Sequence, residues 1–303
     1  MKTCLIFLCT YNGEKYLKEQ IDSLLAQKDV EISIKIADDC STDSTPQTLE
    51  EYSQKYPNIS YSINSINKKF TYNFLDLFYA KNEKEYDYYA FCDQDDVWDN
   101  NKIIEAINAL ENMENKSENG SLYCSNLKVV NEKLEYIGMQ EDDTVITKTN
   151  KYTYSYENIA TGCTMVIDNK FYHHCLQYYP QGIKLHDYWI FLIAVYTATF
   201  YYDKNGYINY RQHTNNQIGT NKKKWTFKNF KRFFKYKGNQ PHMLQELLNG
   251  FGQYISDEDK EILNTIIRYR KSLKLKFRLM HSKKFKKRRN RLIFKIKVLF
   301  NKL

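Results

Sequence analysis

Residues 88–98 read YYAFCDQDDVW. An apolar run of strand length ends in three acids within four positions, Asp93, Asp95 and Asp96. Carboxylates at this spacing repel one another unless a cation lies among them. The run does not alternate with polar residues, which suits a strand buried on both faces in a parallel sheet. On an extended chain Asp93 and Asp95 project to one side and Asp96 to the other. Two carboxylates on one side suit a hard divalent cation, Mg²⁺ or Mn²⁺, with substrate phosphates completing its shell. The plainer alternative is a solvated acidic turn before the next helix, where Asp is favoured. Asp96 is the candidate cap for a helix that begins near Asn101.

The first hundred residues alternate in character. CLIFLCT (4–10) is a second apolar run, and Leu17, Ile21, Leu24 and Leu25 follow at helical spacing. ISIKIADD (32–39) alternates as a strand. Capping residues and Pro46 then start a helix near Thr45. ISYSI (59–63) is a third strand, TYNFLDLFYA (71–80) a helix, and 88–93 the fourth strand. This order predicts a parallel sheet with right-handed crossovers. Ligands bind such sheets at the carboxyl ends of the strands. TYNGEKY (10–16), ADDCSTDST (37–45) and CDQDD (92–96) all lie at such ends. The first has one glycine, so it is neither a GxGxxG turn nor a GxxxxGK phosphate loop. In the second, Asp38 and Asp39 suit hydrogen bonds from a base imide or a ribose hydroxyl. Ser41, Thr42 and Asp43 suit helix capping.

Beyond residue 100 the order changes. A helix carrying Ile103, Ile104, Ile107 and Leu110 precedes the strand LYCSNLKVV (122–130), and a polar loop region runs to about residue 158. GCTMVID (162–168) is expected as a strand, DYWIFLIAVYTA (187–198) as an apolar helix and YINYRQH (207–213) as a strand. From Trp225 the chain reads as helical and basic. Asp187 opens the apolar helix beside Tyr188 and Trp189, where a shielded carboxylate suits a general base; a capping Asp beside a core Trp is the alternative. In YRQHTNNQIG (210–219), Arg211 and His213 are candidates for a diphosphate or metal contact, or members of a surface loop. His173 and His174 have no evident partner and are read as structural.

Charge is unevenly distributed. The 303 residues carry a net charge of +9, yet 15 Lys and Arg and no acid lie between Arg270 and the end. The remaining 269 residues hold 30 basic and 36 acidic side chains. A mildly acidic body with a basic tail points to an anionic surface as the tail's partner. Leu, Ile and Phe interleave with the tail's cations, the pattern of an interfacial helix. The seven cysteines are scattered without CxxC spacing, which predicts reduced, buried thiols in a cytosolic protein. MKTCLIFLCTYN opens like a short signal peptide, but no small-residue cleavage site follows, so export is not expected. No apolar run reaches the length of a membrane span.

TYNGEKYLKEQIDSLLAQ, IADDCSTDST, FCDQDDVW, TGCTMVID, HDYW and YRQHTNNQIG stand in the order and approximate spacing of glycosyltransferase family 2. The chain resembles that family's bacterial rhamnosyltransferase-like branch over roughly residues 1–220. The resemblance implies the α/β GT-A fold: a mostly parallel, Rossmann-like sheet flanked by helices. Residues 1–100 would be the nucleotide-sugar half, 101–220 the acceptor half, and 221–303 a helical, basic extension. It implies an inverting transfer of a sugar, with rhamnose suggested, from a dTDP- or UDP-linked donor to a saccharide acceptor, in bacterial surface polysaccharide synthesis. The acceptor would be lipid-linked, at the cytoplasmic face of the cell membrane, with the tail on anionic lipid. By match of motif, Thr10, Tyr11, Glu14, Asp39 and Asp93 would contact the donor nucleotide. Asp95, with Asp93, would hold Mn²⁺ or Mg²⁺, and Asp187 would be the catalytic base. His186, Trp189, Arg211 and His213 would be diphosphate, metal or acceptor contacts. HDYW stands where the wider family carries a Glu-Asp pair, and YRQH where many members carry Gln-x-x-Arg-Trp.

Two other functions use some of these features. A sugar-phosphate nucleotidyltransferase also combines a parallel sheet, a metal and acids, but wants a glycine-rich loop after the first strand. A nucleic-acid-binding protein would use the basic tail, but the acidic body and the lack of a recognition motif oppose it, and no nucleic acid is expected as partner.

Overall fold

The computed structural model describes residues 1–141, 151–213, 238–282, 284 and 291–303. Four strands, β1 (Lys2–Thr10), β2 (Val30–Asp38), β3 (Ile59–Ile63) and β4 (Tyr88–Cys92), pair in parallel in the order β3-β2-β1-β4. The connecting helices are α1 (Leu17–Leu25), α2 (Thr45–Lys55) and α3 (Lys69–Tyr79). The carboxyl ends of β1, β2 and β4 therefore lie side by side, and the three motifs follow directly from them.

The sheet continues beyond β4 through β8 (Val166–Asp168), β6 (Ser121–Val130), β9 (Thr199–Arg211) and β5 (Val97–Trp98), with β7 (Tyr136–Met139) hairpinned onto β6. The parallel pairings are the long ones; β8, β5 and β7 add short antiparallel steps. Four local differences from the expected elements have physical causes. Gly162–Thr164 is a 3₁₀ turn, so only Val166–Asp168 of the expected strand is extended. β9 begins at Thr199, where parallel pairing to β6 carries polar residues through two register shifts. β5 and β7 have two and four residues, too short to stand out by periodicity.

Strand alternation divides the core. Leu5, Phe7, Cys9, Tyr89 and Phe91 face α3, α6 (Asn169–Cys175) and α7 (His186–Thr197). Cys4, Ile6, Leu8, Ala90 and Cys92 face α1, α2 and α4 (Lys102–Glu111). The helix α7 is apolar on all sides and buried on all sides. The short α5 (Lys151–Tyr154) lies against it. The last helices, α8 (Gln240–Phe251), α9 (Asp257–Arg268), α10 (Leu273–His281) and α11 (Arg291–Leu299), are not a loose appendage. Leu244, Leu247, Phe251, Leu263, Ile266, Tyr269, Phe294 and Val298 share one core with Trp189. All seven cysteines are free thiols and six are buried, as expected. Among the described residues no helix is long and apolar enough to cross a membrane.

Candidate active site

The loops after β1 and β2 are laced together. The backbone N–H groups of Asn12, Gly13 and Glu14 donate to Ser41 Oγ (2.8 Å), Thr45 Oγ1 (2.8 Å) and Asp43 Oδ2 (3.1 Å). In return, Thr42 N donates to Asn12 Oδ1 (2.9 Å), and Ser44 donates to Glu14 Oε2 through N (3.1 Å) and Oγ (2.9 Å). Asn12 and Cys40 adopt left-handed backbone with φ of 49° and 67°. Asn tolerates this region, whereas Cys does so only where surrounding bonds over-determine the turn. Glu14, expected at the nucleotide, thus braces the start of α2.

Thr10 is buried and donates to Asp38 Oδ1 at 2.7 Å. Asp38 is also held by Ser41, from Oγ at 2.5 Å and from N at 2.9 Å. Asp39 accepts from Lys68 N (2.7 Å), Lys69 N (2.8 Å) and Asn64 Nδ2 (3.1 Å). It acts as a remote cap for α3, whose first residue, Lys69, has φ of 65°. A carboxylate offers about four acceptor positions, so these three bonds leave capacity for one ligand donor. Tyr11 is exposed, and the Gln94 amide clasps its backbone, Oε1 accepting from N at 2.7 Å and Nε2 donating to O at 3.1 Å. Gln94 lies between the acids of CDQDD, and its positioning role is not readable from the motif.

The three acids have three surroundings. Burial, then the charges of Asp95 and Asp187, pushes Asp93 up to about 7. Asp96 is fully buried, and burial with the charges of Asp95 and Asp93 raises it well above the usual carboxylate range. Its Oδ1 accepts from Arg211 N on β9 at 3.0 Å, while Oδ2 has no hydrogen-bond partner among the described residues. Asp96 therefore does not cap α4; the N-cap residue there is Asn101. Asp95 Oδ2 meets His213 Nε2 at 2.7 Å, and His213 packs against the Tyr16 ring at 5.1 Å. Asp93 and Asp95 carry their carboxylates together at the open end of β4, close enough that the charge of Asp95 acts on Asp93. This donor set fits a hard divalent cation.

Arg211 is placed otherwise than as a diphosphate contact. It is buried, with Nε donating to Asp95 O (2.9 Å), Nη1 to Glu132 O (2.6 Å) and Nη2 to the Glu19 carboxylate. The guanidinium also lies 4.4 Å from the Tyr16 ring centre. It is a strut tying the DQDD turn to α1 and to the β6–β7 hairpin, because all three nitrogens already donate within the protein. The rest of the YRQHTNNQIG motif, from Thr214, lies outside the described residues.

Asp187 stands at the start of α7, half-buried, and burial pushes its carboxyl up to about 6. N–H donors from Tyr188 (2.6 Å), Gly162 and the Asn158 side chain pull it part of the way back. A β-carbon on Gly162 would lie 3.0 Å from His186 Nε2 and 3.4 Å from Asp187 Cβ, so the glycine permits this close approach. His186 stacks on Phe74 at 4.1 Å between Phe70 and Phe91. Burial holds it down to about 3, a neutral ring. Trp189 is fully buried and donates from Nε1 to Tyr79 Oη at 3.2 Å; it is a core residue, not an acceptor contact. His174 meets Thr197 Oγ1 at 2.9 Å inside the core, and His173 pairs with Glu85 at 2.8 Å at the surface.

Two neighbours of the acids carry no signal in the sequence. Cys163, in the 3₁₀ turn, places its Sγ within 4.8 Å of an oxygen of Asp93 and an oxygen of Asp96. Lys102, on α4, is fully buried with Nζ 3.3 Å from the centre of the Trp98 ring, and burial pulls it down to about 8.

Residues 5–174 match the family Glycosyl transferase family 2. The chain is 34% identical over 225 residues to the dTDP-rhamnosyl transferase RfbG of Shigella flexneri, covering 71% of this chain and 74% of that one. Its fold is similar to that of S. aureus TarS 1-349 in complex with UDP-GlcNAc, with a TM-score of 0.59 at 17% identity, over 99% of this chain and 80% of the other. It is also similar to the mannosyltransferase PcManGT from Pyrobaculum calidifontis in complex with GDP-Man and Mn²⁺, with a TM-score of 0.52 at 11% identity, over 98% and 73%. The expected GT-A architecture is the one found.

Proposed function

Because the chain belongs to glycosyl transferase family 2 and is a glycosyltransferase, we propose that it transfers a sugar, with inversion, from a nucleoside diphosphate to a saccharide hydroxyl, using a divalent cation. The observation that carries this reading is the convergence of Asp93, Asp95 and Asp187 at the carboxyl end of β4, close enough for Asp187 to act on Asp93. Asp95 and Asp93 would hold Mn²⁺ or Mg²⁺. When bound, such an ion stabilises the charge that develops on the leaving diphosphate. His213 orients the Asp95 carboxylate. Asp187 accepts the proton of the acceptor hydroxyl, and a base near 6 is ionised at neutral pH yet still basic enough to do so. Asp39 takes one donor from the base with its remaining acceptor position, and Thr10, Tyr11 and Glu14 form the wall behind it. Residues 1–100 serve the donor, 101–220 the acceptor, and 221–303 brace and anchor them. The likeness to a dTDP-rhamnosyl transferase favours dTDP-rhamnose as donor.

The reading is tested by thermal unfolding in the presence of nucleoside diphosphates with and without Mn²⁺. A ligand at a hundred times its Kd stabilises the folded state by about 2.7 kcal/mol. The expected result is a Mn²⁺-dependent rise in Tm with dTDP or UDP that is larger than with ADP. Equal shifts with and without Mn²⁺ would remove the cation from the proposal. Release of pyrophosphate from a nucleoside triphosphate and a sugar phosphate would instead favour nucleotidyl transfer.

The acceptor side of the proposal places the enzyme on the cytoplasmic face of a membrane. The tail is not one interfacial helix. It folds onto the body, with Arg278 on Glu261 (2.6 Å) and Lys284 on Glu258 (2.5 Å). Even so, Leu273 is 83% and Phe277 62% exposed, one turn apart on α10, and Leu299 and Phe300, at the end of the neighbouring α11, are exposed as well. Lys274 and Arg278 flank this apolar edge. Basic residues at an anionic surface contribute about 1 kcal/mol each. Removing the tail would take core residues with it, so the test is a Leu273→Ser, Phe277→Ser double variant. It should keep its Tm and lose most co-sedimentation with phosphatidylserine-containing vesicles. Undiminished sedimentation would rule out this edge of α10 as the membrane contact.

A further inference from the structure

Beside the carboxylates assigned to the hard cation lies a different donor set. One oxygen each of Asp93 and Asp96 and the Sγ of Cys163 lie within 4.8 Å of one another. Asp96 and Cys163 are buried, and Asp93 is half-buried at the open end of the strand. Asp96 Oδ2 has no hydrogen-bond partner among the described residues, an expensive state for a buried carboxylate oxygen. Donors around a tetrahedral Zn²⁺ stand about 3.5 Å apart, given its usual bond lengths, so a small contraction of the three would suffice. A mixed thiolate and carboxylate set selects a thiophilic ion over Mg²⁺.

We propose that Asp93, Asp96 and Cys163 form a binding site for a thiophilic divalent cation of the Zn²⁺ class, next to Asp95 and sharing Asp93 with the hard-cation site. Cys163 binds as the thiolate, its proton leaving to solvent, as coordination ordinarily deprotonates a thiol. Charge supports the assignment independently. Three anionic donors and one dication leave a single negative charge. The fully buried Lys102 ammonium balances it, and the groups whose charges act on it include Cys163 and Asp96. Lys102 Nζ has no hydrogen-bond partner among the described residues and rests on the Trp98 ring, so no hydrogen-bonded acceptor among them already offsets its charge. Three protein ligands leave a fourth position open. Occupation takes Asp93 from the hard cation, so the consequence is inhibition by Zn²⁺ that Mn²⁺ relieves. That consequence rests on the metal-assisted reading of the glycosyltransferase; the site itself does not.

Titration of the full chain with Cd²⁺ reads the site directly, because a cadmium–thiolate bond absorbs in the ultraviolet where the free thiol does not. Cys40 is the one cysteine that is not buried, so a Cys40→Ser background removes it as a source. One equivalent of charge-transfer signal is expected in that background. It should disappear in Cys163→Ser, and Asp96→Asn should weaken Cd²⁺ affinity at least tenfold while keeping the band at saturation. No signal in the Cys40→Ser protein, or the same signal after Cys163→Ser, overturns the proposal. Should Cys163→Ser not fold, an Asp96→Asn affinity equal to that of the background overturns it equally. A cadmium band in a protein whose turnover ignores Mn²⁺ would keep the site and reject the metal-assisted reading of function.

Discussion

Asp187→Asn is expected to lower turnover roughly 10²- to 10⁴-fold, the usual contribution of a positioned general base. Nucleoside-diphosphate binding and Tm should change little. Asn is of the same shape and keeps an oxygen for the donors from Tyr188, Gly162 and Asn158. The pH dependence supplies a second reading. Burial raises Asp187 from the usual carboxylate range to about 6, so the base is ionised above that pH and protonated below it. Wild-type turnover under saturating donor should therefore fall as pH is lowered through 6, and the residual activity of the Asn variant should lose that limb. If binding and turnover fell together in Asp187→Asn, the residue would be a support for the start of α7 and the base would have to be sought elsewhere.

The second large effect is expected at Asp95. Asp95→Asn should remove most turnover and the Mn²⁺-dependent part of nucleotide binding. His213→Gln, which keeps a hydrogen bond toward Asp95 but not the imidazole, should cost less. Loss of a group that orients a metal ligand typically costs about 10- to 100-fold in metal affinity. The ordering of the two variants matters more than either value. His213→Gln below Asp95→Asn in activity would mean that the imidazole itself meets substrate or metal. Wild-type turnover by Asp95→Asn in Mn²⁺ would end the assignment of Asp95 as ligand. Both variants are read by Mn²⁺ titration of turnover and of nucleotide binding.

The parallel half of the sheet was legible because its strands are buried on both faces. CLIFLCT and YYAFC are continuous apolar runs, and their ends mark where the loops begin. The acids at those ends were legible as a group for the same reason. Their individual roles were not. Arg211 reads as a free cation in a polar loop, yet its partners Glu19, Glu132 and Asp95 lie 192, 79 and 116 positions away. Only the pairing of β9 with β6 and β5 brings them together. Trp189, grouped by the resemblance with the diphosphate, metal or acceptor contacts, is turned into the core by the geometry of α7. Cys163 was legible as a buried thiol and no more. Its contact with Asp93 and Asp96 depends on a 3₁₀ turn where strand periodicity was expected. Glu14 and Asp39 show the same limit: position at a strand end is readable, but whether a carboxylate faces ligand or a neighbouring loop is decided by backbone N–H groups that a linear sequence does not locate.

The lacing of the first two loops has a thermodynamic meaning. Seven hydrogen bonds cross between residues 12–14 and 41–45, each joining a backbone group or side chain of one loop to the other. A wall held in this way has already lost its conformational freedom during folding. On the proposed function, a nucleotide arriving against it orders little, so less of the contact free energy is consumed at the moment of association. Selectivity among nucleotides on this side of the cleft then rests on shape and donor placement rather than on closure, and substitutions at Asn12, Ser41 or Thr45 would weaken affinity by loosening the unliganded protein, without touching the ligand at all.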